Sequence, residues 1–65
     1  MKYKIKVTSE NSGTTFFEYE SYLQPMPGDE YAGSCFDDRK GRVVIGRLII
    51  PNLDGVLLVM TKLKY

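Results

Sequence analysis

The sequence predicts an all-β protein built from hairpins. Three observations carry the prediction. Residues 2–8 alternate strictly, with Tyr3, Ile5 and Val7 on one side and Lys2, Lys4, Lys6 and Thr8 on the other. Two strongly β-forming runs, RVVIGRLII and VLLVMTKLKY, flank an Asp54-Gly55 turn signal. No stretch shows the 3.6-residue period of an amphipathic helix. A period of two is the mark of a half-buried strand.

The first strand leads through SENSGTT into FFEYESYL, where Phe17, Tyr19 and Leu23 share one face and Glu18 and Glu20 the other. Asn11-Ser12-Gly13 suits a three-residue loop closed by a left-handed glycine. That loop sets Lys4 against Glu20, Lys6 against Glu18, Ile5 against Tyr19 and Val7 against Phe17. Turn chemistry, charge and apolar pattern agree on one register. The lysine stripe therefore reads as a neutralised sheet face rather than a track for phosphates.

Next comes QPMPGDEYAG, whose prolines and Gly-Asp pair interrupt any regular element. Pro27-Gly28 reads as a turn with proline first and glycine supplying positive φ, braced by Asp29. Residues 30–36 form a third, weaker strand; their small side chains suit a place where backbones pass closely. DDRKG is a tight polar connection.

RVVIGRLII, ended by Pro51, pairs with VLLVMTKLKY across Asp54-Gly55. A two-residue loop places Val44, Gly46, Leu48 and Ile50 on one face with Val59, Thr61, Leu63 and Tyr65. It places Ile45, Arg47 and Ile49 on the other with Leu58, Met60, Lys62 and Lys64. A four-residue loop, Asn52 to Gly55, would change the pairing. Five short strands in this length suggest a small five-stranded SH3-like barrel or a strongly curved antiparallel sheet of hairpins.

The chain has 65 residues, enough for a single small β domain over 1–65. At that size only about 60% of the unfolded surface is buried, so packing or association must supply stability. A disulfide within the chain is excluded, because Cys35 is the only cysteine. With no histidine and one thiol, a zinc site is not expected. Nine basic and eight acidic residues leave a net charge of +1 and no global pull toward nucleic acid or anionic membrane. No basic segment precedes an apolar one as in a signal peptide, and no apolar run reaches the roughly 20 residues that span a bilayer. A cytoplasmic protein is expected.

The residues promise little catalysis. Histidine, the commonest general base, is absent. Cys35 lacks a base to activate it and reads as a small core residue. Asp37 and Asp38 adjoin Arg39 and Lys40 in a solvated turn, and Asp29-Glu30 lacks the spacing of a calcium loop. The glycines form no phosphate loop. No enzyme activity, catalytic residue, metal or cofactor is expected.

What remains is surface. One face of the last hairpin is core, yet the other still carries Ile45, Ile49, Leu58 and Met60. A sheet with one wet face should be polar there, and a contiguous apolar patch marks a contact surface. The bland alternative is that the proline loop, or Tyr22 and Phe16, covers it. These four residues are the candidate partner-binding set, the partner being a second copy or another protein. A different set, Arg39, Lys40, Arg42 and Arg47 with Tyr31 or Phe36, gives a weak nucleic-acid binder, since exposed aromatics beside basic groups stack single-stranded bases.

Pro25-Met26-Pro27-Gly28-Asp29-Glu30, followed by VVIGRLIIPNLDGVLLVMTKLKY, resembles the layout of short orphan proteins of bacteria and their phages. In those, an amino-terminal hairpin leads through a proline-containing GD turn to a strand and a closing hairpin. SCFDDRKGR departs from that pattern as a charged insertion. The resemblance implies a small SH3-like barrel and carries over no functional residues. A non-enzymatic interaction module fits best, homo-oligomeric or part of a larger assembly, such as a phage-encoded inhibitor or accessory protein.

Overall fold

The computed structural model describes residues 2–49 and 55–64. Five strands form one sheet: β1 (Tyr3–Thr8), β2 (Thr15–Ser21), β3 (Glu30–Tyr31), β4 (Arg42–Ile49) and β5 (Val56–Leu63). A single turn of 3₁₀ helix, Gly33–Cys35, lies between β3 and β4. The spatial order is β2-β1-β5-β4-β3. The sheet is mixed rather than purely antiparallel, because β1 and β5 run parallel at its centre. It curls strongly into a half-barrel.

The amino-terminal hairpin has the register expected from its charges. Lys4 pairs with Glu20, Ile5 with Tyr19, Lys6 with Glu18 and Val7 with Phe17. Its loop is longer than three residues, and the left-handed residue is Ser12 (φ 57), not Gly13. Asn11 makes this possible: its Oδ1 accepts from the Gly13 amide at 2.9 Å and from the Ser9 hydroxyl at 2.8 Å. The pairing slips between Val7 and Thr8, where Thr8 meets Thr15 and leaves Phe16 as the extra residue of β2. This bulge breaks the two-residue alternation, and Phe16 and Phe17 both pack on the core.

The core is small: Ile5, Val7, Phe36, Val44, Leu57 and Val59 are buried. Tyr3, Phe16, Phe17, Tyr19 and Tyr31 close around them. Phe36 is the hub, with ring centroids 5.4 Å from Phe16 and 5.5 Å from Phe17. The sheet curls until side chains of its two edges meet: Phe17 contacts Tyr31 edge-on at 5.8 Å, and the Tyr19 and Tyr31 hydroxyls are hydrogen-bonded at 2.7 Å. Two buried threonines are satisfied at the β1–β5 seam. Thr61 donates to the Thr8 carbonyl at 2.7 Å, and Thr8 donates to the Val59 carbonyl at 3.3 Å.

The Pro27-Gly28 turn forms as read. Gly28 takes φ 99, the Asp29 amide donates to the Met26 carbonyl at 3.0 Å, and Asp29 Oδ2 accepts from the Met26 amide at 2.9 Å. The third strand is only Glu30–Tyr31, since the 3₁₀ turn replaces its expected remainder. That turn points Phe36 inward and leaves Cys35 exposed, which corrects the reading of Cys35 as a core residue. The small residues do mark a close approach: a Cβ on Gly33 would lie 2.4 Å from the Arg39 carbonyl oxygen. Arg39 itself is left-handed, φ 56.

The last hairpin differs from expectation. Val44 pairs with Thr61, whereas a two-residue Asp54-Gly55 loop would set it against Tyr65; past a slip between Val44 and Gly46 the partners are Gly46–Met60, Arg47–Val59, Leu48–Leu58 and Ile49–Leu57. Ile45 is the extra residue of a bulge. Before it, Val44 shares the core face with Val59 and Thr61 as expected. After it, the faces of β4 invert. The readings that fall on Ile50, Pro51, Asp54 and Tyr65 lie outside the described residues.

Candidate interaction surface

The outer face of the sheet is divided across its width. At the β2–β1 end, Glu18 lies 3.9 Å from Lys4 and 3.8 Å from Lys6, and Glu20 lies 4.0 Å from Lys2. These solvated pairs add little stability, but they make that half hydrophilic, with its charges largely offset. One row of partners shows the change of character: Glu18, Lys6, Leu58 and Leu48 lie side by side from β2 to β4. On the β5–β4 half the row turns apolar around Leu58 and Leu48, and Lys62, opposite Val43, bounds that stretch.

The four expected contact residues do not share one face. Leu58 and Met60 lie on the outer side, opposite the buried Leu57, Val59 and Thr61. Ile45 joins them through the bulge, which sets it with Gly46 opposite Met60. Ile49 does not: it pairs with the core residue Leu57 and emerges, 68% exposed, on the other side of β4. Its place is taken by Leu48, 51% exposed and directly opposite Leu58. Gly46 keeps the patch flat, because a Cβ there would meet Met60 Cε at 3.2 Å. Leu48 was missed because the bulge was missed, although a glycine inside a strand is the signal of one. Neither Tyr22 nor Phe16 covers the patch: Tyr22 is exposed near Lys2, and Phe16 is in the core group.

The alternative basic and aromatic set is dispersed. Phe36 is 7% exposed and presents no ring to a base. Tyr31 is held by Tyr19; burial first, and that hydrogen bond second, push its phenol far above the ordinary range. Arg42 is structural. Its guanidinium stacks on Phe16 at 4.3 Å and Phe36 at 5.4 Å, its side chain is only 14% exposed, and Asp38 lies 3.8 Å away. Arg39 and Lys40 line a shallow depression with Leu63 and Lys64, whereas Arg47 sits farther along β4 and donates to Gln24 Oε1 at 2.6 Å. The six residues thus form no common platform.

Among the described residues no three Cys, Asp or Glu side chains gather as a metal site, and no helix is long and apolar enough to cross a membrane. No protein-family model matches the chain, no curated protein matches its sequence, and no solved structure matches its fold.

Proposed function

We propose that this protein is a non-catalytic interaction module that docks through the outer face of β4 and β5, with a second copy of itself as the first partner. One observation carries the reading. Ile45, Leu48, Leu58 and Met60 form an apolar patch on a sheet whose outer surface over β1 and β2 carries lysine–glutamate pairs. A strand with one wet face alternates apolar-in with polar-out, and Leu57 to Met60 of β5 is apolar on both sides. Among the described residues only six apolar side chains are buried, so covering the patch with its own copy supplies further apolar burial. Phage or bacterial accessory proteins that act by occupying another protein would suit such a module.

Native mass tests this. Light scattering on a sizing column should give the wild type twice the 7.4 kDa of one chain. Leu58→Lys combined with Met60→Glu, both on the outer side of β5, should give a folded monomer. A wild type that runs as a monomer, or a dimer indifferent to both changes, contradicts the proposal.

A further inference from the structure

Taking the protein as a docking module, as proposed above, we infer a second docking element: the open edge of β4, which accepts an extended, acidic strand of a partner protein. β3 covers only the first part of β4. Glu30 and Tyr31 pair with Val43 and Arg42, and Gly28 and Asp29 exchange backbone hydrogen bonds with Val44. From Ile45 to Ile49 the side of β4 away from β5 meets no backbone partner among the described residues.

Alternation says which groups are free. Val44 turns its amide and carbonyl toward the β3 side. Past the one-residue bulge, the same alternation turns those of Arg47 and Ile49 outward. Unpaired donors and acceptors at strand spacing are a template for an added strand. Exposed Ile45, Leu48 and Ile49 flank them and offer apolar contacts on both faces.

Arg47 selects the occupant. Its side chain is half-buried on the concave side, and among the described residues it meets no carboxylate, only the neutral Gln24 oxygen at 2.6 Å. Two copies of residues 45–49 paired in full antiparallel register would place Arg47 against Arg47, and like charges directly opposite are destabilising. An incoming strand with a glutamate or aspartate at that position pairs with the arginine instead. A single charge thus disfavours self-pairing and admits an acidic strand.

Two peptides test this: STVEVTS, and STVKVTS with lysine replacing the glutamate. Both are titrated into the folded full chain, with amide exchange read by NMR. The acidic peptide should protect the Arg47 and Ile49 amides, and the lysine peptide should bind about fivefold more weakly. Arg47→Gln should erase that difference. Equal binding of the two peptides overturns the proposal. So does protection along β2 instead of β4, or concentration-dependent protection of Arg47 and Ile49 without peptide, which would mean self-pairing. The Leu58→Lys, Met60→Glu variant should bind the acidic peptide as the wild type does, so failure of the outer-face dimer and failure of the edge are separate results.

Discussion

At the scale of single residues, side-chain hydrogen bonds decide which polar groups the small core tolerates. Tyr31 is the clearest case. Loss of water and the Tyr19 hydroxyl both disfavour its phenolate, so the folded chain keeps a proton that the unfolded chain releases near pH 10.0. The sign follows: stability is full below that pH and falls as pH rises above it, because only the unfolded state gains by ionising. Tyr31→Phe removes this dependence along with the hydroxyl pair. In denaturant melts at about pH 8 and about pH 11, the stability gap between wild type and variant should narrow at the higher pH. A gap that stays constant means the phenol is not shielded. The same chemistry explains Thr8 and Thr61, each placed in the core with a carbonyl to receive its proton.

At the scale of elements, strands were legible where alternation was unbroken. The register of β1 and β2 was specified by several signals at once, because the turn after Ser9, the apolar pairs Ile5–Tyr19 and Val7–Phe17 and the lysine–glutamate pattern all agree on it. What could not be read were the irregularities. Each bulge adds one residue to one strand, and one residue reverses every face beyond it. Phe16 moved into the core for that reason, and Leu48 replaced Ile49 on the outer patch. The parallel β1–β5 pair was equally hidden, since nothing local in either strand encodes a partner so distant in sequence. The segment after β3 failed as a strand because its small residues serve a tight passage of backbone. Gly33→Ala tests this directly. The added methyl would strike the Arg39 carbonyl at 2.4 Å, and overpacking against backbone costs about 1–3 kcal/mol. Chemical denaturation should show a loss in that range; no loss would mean the connection has room to move.

At the scale of the whole molecule, two surfaces of the half-barrel carry the proposals. One is the outer apolar patch, where Ile45 and Leu48 are exposed and Leu58 and Met60 half-buried. The other is the length of β4 from Ile45 to Ile49, which has no backbone partner on the side away from β5 among the described residues. The outer face is divided: charged pairs occupy its β2–β1 half, and the β5–β4 half carries the patch proposed for docking. The candidate contact set was partly legible, as Ile45, Leu58 and Met60 are where alternation put them, while Ile49 and Leu48 exchanged roles across one bulge. The alternative basic set was drawn from proximity in sequence, and the fold uses Arg42 to cap aromatic rings instead. The most direct test of the outer face as a dimer surface is an isotope-filtered NOE spectrum of a sample mixing labelled and unlabelled chains. Contacts between chains should arise from the methyl groups of Ile45, Leu48, Leu58 and Met60 and spare Ile5 and Val7. An absence of contacts between chains, or contacts confined to β2, would contradict it.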